Sequence, residues 1–247
     1  MVIEDFNIMK KHIVTVIGDH FCVGARDICG FPNRLHVEFG KSSGPMYTAV
    51  LGHGVSGGIR KVSEEVSSAI TDAYSYDADE YTALLWVGVG DLKSGGIPFS
   101  AWENMLDHCL CSLLAADMNV YVIIHNWPFD ASFFDKSWKK WVIKINDIKR
   151  RLCKKYGIWF IRVDVETEDF ADLYSLKAKS YQYVSHQIAK EVCAGLKKQS
   201  ASEDSFPEVV QRPSRKRVDP VIESNNNEEQ NMNLVIVAPD RVRHERR

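Results

Sequence analysis

The stretch HIVTVIGDHFCVGARD, residues 12–27, begins with an apolar run rich in β-branched side chains and breaks at Gly18-Asp19. Such a run predicts a β-strand, and the Gly-Asp pair predicts the turn that ends it. The next residue is His20. Whether this turn belongs to a catalytic site therefore depends on the chemistry that is open to His20.

Four more apolar runs follow the first, at residues 47–52, 81–90, 119–127 and 157–165. They are almost continuously hydrophobic, which is typical of strands buried on both faces of a parallel sheet. Segments with helical periodicity lie between or after them, at residues 56–74, 100–117, 135–156 and 181–196. This alternation predicts a three-layer α/β/α sandwich with a five-stranded parallel sheet and right-handed crossovers.

The 247 residues, 45% of them hydrophobic, suffice for one α/β domain of roughly 200 residues and a tail. We predict an N-terminal extension (1–11), a domain (12–199) and a tail (200–247). The tail contains the polar run ESNNNEEQNMN and a single aromatic residue, so we expect it to be disordered. Its one apolar patch, NLVIVAP at 233–239, can add an edge strand or bind a protein partner.

The net charge and the N-terminal sequence limit the classes of partner that we expect for this protein. The net charge of −2 gives no overall attraction to nucleic acid or membrane, so any such attraction must be local. No run approaches the roughly 20 apolar residues of a membrane span, and MVIEDFNIMKKH does not read as a secretory signal. We expect a soluble cytoplasmic protein without membrane association. The basic cluster RPSRKR (212–217) leaves nuclear import or a nucleic-acid contact open.

The six cysteines are scattered without CxxC spacing, so they indicate neither a zinc site nor a disulfide framework. We expect free, buried thiols.

Ligands of open α/β sheets bind at the carboxyl ends of the strands. The turn after the first run is Gly18-Asp19-His20, and GHGVSGGIRKV (52–62) after the second leads into a helix whose free N–H groups can bind an anion or oxyanion. The third run ends in Gly88-Val89-Gly90-Asp91, and Asp172-Leu173-Tyr174-Ser175 precedes the last helix.

In this order, the four blocks resemble those of SGNH, or GDSL-type, hydrolases over residues 12–197. The resemblance implies a flavodoxin-like sheet and a serine nucleophile. It also implies an oxyanion hole formed by the serine N–H, a glycine and an asparagine, and a histidine base oriented by an aspartate.

Carried over position by position, the serine falls on His20, whose imidazole cannot form the acyl-serine ester. The glycine is retained as Gly57, whereas the asparagine position falls on Gly90, which has no side-chain donor. The aspartate falls on Asp172 and the histidine on Ser175. Because such residues act as a unit, we expect no acyl-transfer catalysis.

Other residues are weaker candidates for a catalytic or metal-binding role. We interpret His125 as part of a turn, His186 as a helix residue without catalytic role, and Cys22 as a packing residue rather than a displaced nucleophile. A metal site formed by His20, His53 and Asp91 is a minor alternative. We therefore expect no metal and no cofactor.

The segment 136–155 carries nine cations and one acid, Asp147. An apolar stripe is expected to face the sheet, leaving the cations on the solvent side, near tryptophans that can stack on bases. The alternative is a solvated helix whose charges only confer solubility. The nucleic-acid-binding candidates are Lys136, Lys139, Lys140, Lys144, Lys149, Arg150, Arg151, Lys154 and Lys155.

The OSK domain of Oskar proteins is similar: it resembles an SGNH fold that lost its catalytic residues and binds RNA. We therefore predict a catalytically inactive SGNH-like domain that serves as a binding or scaffold module, with RNA as the leading ligand. Two alternatives stay open: an active esterase or acetylesterase with a rearranged site, and a protein-interaction module that acts through its tail.

Overall fold

The computed structural model describes residues 10–23, 30–42, 46–93 and 97–203. The chain divides into two units, Met1–Ser205 and Phe206–Arg247. The second unit lies outside the described residues, and with it the basic cluster 212–217 and the NLVIVAP segment. Most of the predicted N-terminal extension lies outside them as well.

Five parallel strands form the central sheet in the order β2-β1-β3-β4-β5, which confirms the predicted five-stranded parallel sheet. Successive crossovers place β2 on one side of β1 and β3 on the other, so the order of the strands reverses at β1. Such a reversal opens a crevice at the carboxyl ends of β1 and β3. The strands are β1 (Lys11–Gly18), β2 (Tyr47–Gly54), β3 (Glu80–Trp86), β4 (Asn119–His125) and β5 (Trp159–Val163).

Helices cover both faces of the sheet, as the sandwich prediction requires. Helices α2 and α7 pack together, whereas α3 packs on α5 and α5 on α6. The helices are α1 (His20–Val23), α2 (Phe31–Ser42), α3 (Ile59–Tyr74), α4 (Gly90–Lys93), α5 (Phe99–Ala115), α6 (Lys139–Tyr156) and α7 (Ala178–Glu203). A 3-10 turn precedes α6, and the hairpin β6 (Phe170–Asp172) and β7 (Ser175–Leu176) precedes α7. None of the helices in the described ranges is long and apolar enough to span a bilayer.

Several boundaries differ from the sequence prediction, and two of them have a clear local reason. Helix α6 ends at Gly157, which adopts a left-handed conformation (φ 63°) and returns the chain to the sheet, so β5 starts at Trp159 rather than at 157. Strand β3 ends at Trp86 because the following amide groups bind a buried carboxylate instead of a neighbouring strand.

An aromatic cluster fills the space below the carboxyl edge of the sheet. The ring of Trp86 stacks on Phe21 with centroids 4.8 Å apart, and Phe31 packs against its edge. All three side chains are fully buried. The indole Nε1 of Trp86 donates to Nδ1 of His125 at 3.0 Å, so this part of the crevice is packed with protein side chains.

Candidate functional site

Asp19 organises the turn after β1. Its Oδ2 atom accepts hydrogen bonds from the backbone N–H groups of Gly88, Val89 and Gly90, at 2.7, 2.8 and 3.0 Å. The side chain is fully buried, and burial raises the pKa of Asp19 to about 6 although two of these amide groups and the charge of Lys149 act to lower it. Asp19 therefore fixes the loop after β3 onto the loop after β1.

Lys149 is the buried cation that acts on this carboxylate electrostatically, although its Nζ atom forms no hydrogen bond within the described ranges. Its side chain is fully buried, and burial lowers its pKa to about 8 while Asp19 acts to raise it. The Nζ atom lies 3.6 Å from the point that a Cβ on Gly88 would occupy. The expectation that Lys149 belongs to a solvent-facing basic surface is therefore wrong, because it compensates buried negative charge.

His20 occupies the position of the expected serine. Its half-buried ring lies against the ring of Tyr174, with centroids 4.8 Å apart. Tyr174 belongs to the loop that the resemblance assigns to the catalytic base. The structure therefore brings the first and last blocks together, but through a contact between two rings.

Gly90, the expected asparagine position, lies against the backbone of the second block. A Cβ at Gly90 would lie 1.9 Å from the carbonyl oxygen of Gly57. The following residue, Asp91, accepts hydrogen bonds from the N–H of Ile59 at 3.0 Å and from the indole of Trp102 at 2.9 Å. Gly57 and Gly90 thus lie against each other, and no side-chain donor fits at Gly90 in this backbone arrangement.

Asp172 and Ser175 face each other across the β6–β7 hairpin. The Oδ1 atom of Asp172 accepts a hydrogen bond from the N–H of Tyr174 at 2.7 Å, the pattern of an Asx turn. Asp172 is exposed and Ser175 is half-buried. In this geometry the aspartate stabilises a tight turn.

His53 and Asp91, candidate metal ligands with His20, have other partners. His53 contacts Glu65 and Asp72, at 2.9 and 3.1 Å. No group of three metal-ligating side chains occurs within the part of the chain that the structure describes.

Cys22 packs beside the carbonyl of Trp86, and burial raises the pKa of its thiol well above the usual range. A buried, protonated thiol suits the packing role that the sequence predicted.

His125 ends β4 rather than forming part of a turn, and burial lowers its pKa well below the usual range. It is therefore a neutral core residue. His186 is exposed on α7, where Nδ1 contacts Glu38 at 3.1 Å.

The cations of α6 that lie near the surface differ in their partners. Arg151 and Lys155 face α5, where they pair with Glu103 and Asp107. Arg150 pairs with Asp147 in the preceding turn, at 3.1 Å. The exposed residues Lys140, Lys144 and Lys154, which we name the crest lysines, form no ion pair within the described ranges.

Two further candidates flank the crest. Lys136 is exposed in the 3-10 turn, and the Lys139 ammonium lies 5.2 Å from the ring centroid of Phe129. The basic surface that sequence reasoning predicted is thus smaller than nine cations. Three of them are paired with carboxylates, and one is in the core.

A cavity of about 440 Å³ lies beside α6, and sequence reasoning missed it. Its buried lining includes Ile124, Trp127, Val142 and Asn146, and its exposed rim includes Arg162 of β5. The one indication of it in the sequence is the spacing of Ile143, Asn146 and Arg150, which places the three residues on the same side of the helix. What could not be read from the sequence was that β5 would place Arg162 opposite that flank.

No protein-family model matches the sequence, and no curated protein matches it significantly. Solved structures do match. The lipase/acylhydrolase from Enterococcus faecalis is similar with a TM-score of 0.59 at 12% identity, covering 74% of this chain and 96% of that chain. The acetyl xylan esterase AlAXEase has a TM-score of 0.58 at 14% identity, over 73% of this chain and 99% of that one.

AlinE4, described as an SGNH-hydrolase family esterase, matches with a TM-score of 0.51 at 15% identity, covering 62% of this chain and 76% of that chain. At identities this low, the likeness concerns the arrangement of the backbone alone. The chain therefore has the α/β fold of the SGNH hydrolases.

Proposed function

We propose that this chain is a catalytically inactive domain with the SGNH-hydrolase fold that binds single-stranded RNA through the crest lysines of α6. The observation that carries the proposal is that Lys140, Lys144 and Lys154 are exposed along α6 and form no ion pair within the described ranges, although Glu103 is near enough to Lys144 to interact with it electrostatically. Lys154 lies about 15 Å along the helix from Lys144, so the three lysines can neutralise separate phosphates of one strand and release their counterions.

The absence of catalysis follows from three positions together. His20 contacts Tyr174, Gly90 touches the backbone of Gly57, and Ser175 stands where a base is needed. Removing one oxyanion donor alone costs roughly two to three powers of ten in rate. An esterase with a rearranged site would need another nucleophile at this edge, and the nearest thiol, Cys22, is buried and protonated.

Charge reversal on the full chain tests the RNA proposal. The crest variant carries Lys140→Glu, Lys144→Glu and Lys154→Glu, and its matched control carries Lys177→Glu, Lys179→Glu and Lys190→Glu. The control lysines are also exposed, but they lie on or next to α7, in the opposite helix layer. Both variants change the net charge equally.

We expect the crest variant to lose at least about tenfold in affinity for a labelled single-stranded RNA, measured by fluorescence anisotropy. The control variant is expected to bind within about twofold of the unmodified chain, because its changes are remote from α6. Equal losses in the two variants would indicate a general charge effect and would refute the α6 surface.

A further inference from the structure

The cavity beside α6 has the composition of a ligand site. Its volume of about 440 Å³ is in the range of small-molecule pockets. Ile124 and Val142 form an apolar inner surface, whereas Trp127 and Phe129 supply aromatic rings. A flat, aromatic ligand can pack on such walls by stacking and by apolar contact.

Three polar atoms of residues in this lining lack partners. The Oδ1 atom of Asn146, the indole Nε1 of Trp127 and the Nε2 of His125 are buried and have no hydrogen-bond partner anywhere in the described ranges. All three side chains are more than nine-tenths buried. Buried polar groups are normally paired, and these atoms lie just beneath the cavity wall, so a ligand that offers a donor and an acceptor can pair with Asn146 and Trp127 once their side chains turn towards it.

The rim carries positive charge. Arg150 and Arg162 line the cavity from α6 and β5, and Lys139 lies against the ring of Phe129. The two arginines pair with Asp147 and Asp164, but all four side chains are more than half exposed. Exposed pairs of this kind are worth little, so a phosphate can displace the carboxylates and bind the guanidinium groups in bidentate fashion.

We propose that this cavity binds one nucleotide, with the base between the aromatic and apolar walls and the phosphate at Arg150 and Arg162. The inference rests on the proposed function, because the nucleotide we have in mind belongs to a bound single-stranded RNA and has its base turned out into the cavity. The pocket flank of α6, with Ile143, Asn146 and Arg150, adjoins the crest lysines on the same helix. A strand whose phosphates follow the crest can therefore place one base in the cavity.

The test measures mononucleotides and RNA separately on the full chain. Isothermal titration with AMP, GMP, CMP and UMP reports on the cavity alone, and anisotropy with a single-stranded RNA reports on the whole surface. The cavity variants are Asn146→Leu and Arg162→Ala, and the matched control is Lys154→Ala on the crest. Asn146→Leu keeps the side-chain shape and removes an unpaired amide, so we expect it to fold with unchanged or higher thermal stability.

We expect at least one mononucleotide to bind, and each cavity variant to weaken that binding about tenfold or more, because each removes a hydrogen-bonding partner. Lys154→Ala is expected to bind the mononucleotide normally and to weaken RNA alone. No binding of any mononucleotide, or equal binding by the cavity variants, would overturn the cavity proposal. If mononucleotides bind as expected but RNA does not, the cavity proposal stands and the proposed RNA function fails.

Discussion

His20 and Lys149 are the two residues whose surroundings bear most on the chemistry of the crevice. The imidazole of His20 packs on Tyr174, and the ammonium of Lys149 is buried in the core, where it interacts electrostatically with Asp19. Neither side chain is placed to attack an ester, because one has an aromatic ring against it and the other has no exposed surface. At the residue scale, these surroundings support the proposal of a binding module over that of a hydrolase.

Restoring the serine tests this point. We expect the full chain carrying His20→Ser to hydrolyse p-nitrophenyl acetate no faster than the unmodified chain, because a serine without a base and without the side-chain oxyanion donor is a poor nucleophile. The matched control is His36→Ser, an exposed histidine on α2. Turnover by His20→Ser above that control would show that a working base is present after all.

The burial of Lys149 was readable from spacing and was missed because the residue is charged. Val142, Ile145 and Leu152 define the buried stripe of α6, and Lys149 lies on it, four residues after Ile145 and three before Leu152. Helical periodicity therefore predicts that Lys149 faces the core, whereas its charged side chain predicts that it faces the solvent. Its partner Asp19, 130 positions earlier in the chain, gave no local signal that could resolve the conflict.

At the scale of elements, long periodic segments were predictable and short ones were not. The five strands and the helices α3, α5, α6 and α7 follow hydrophobic patterns of sufficient length. Helix α2 and the β6–β7 hairpin were missed. The hairpin strands have only three and two residues. They are stabilised by an Asx turn and by contact with α1.

The first residue of α4, Gly90, gives the sharpest prediction at the scale of elements. We expect Gly90→Ala to lower the free energy of unfolding by about 2 kcal/mol or more, because the added methyl group would overlap the carbonyl of Gly57 and force the two loops apart. Urea denaturation of the full chain measures this loss.

Gly40→Ala in α2 provides the control, since nothing lies within 4 Å of its Cβ position. There we expect a gain of about 0.5–1 kcal/mol from helix propensity. If Gly90→Ala were as stable as the unmodified chain, the close approach of the second and third blocks would be refuted, and with it the argument that no asparagine fits.

For the whole molecule, the distribution of charge matters more than its sum. The net charge is −2, yet α6 exposes three unpaired crest lysines beside an arginine-rimmed cavity. The sequence predicted nine cations on one basic surface, but fewer are unpaired, because the carboxylates on α5 that pair with Arg151 and Lys155 become their neighbours only in the fold.

The salt dependence of RNA binding tests the central claim most directly, since each phosphate contact contributes about 0.7 to the slope of log affinity against log salt for a single strand. We predict a steep negative slope for the unmodified chain and the same slope for the control triple variant at Lys177, Lys179 and Lys190. The crest triple variant at Lys140, Lys144 and Lys154 should have a slope smaller by about 2. A flat slope for the unmodified chain, or an unchanged slope in the crest variant, would contradict the account.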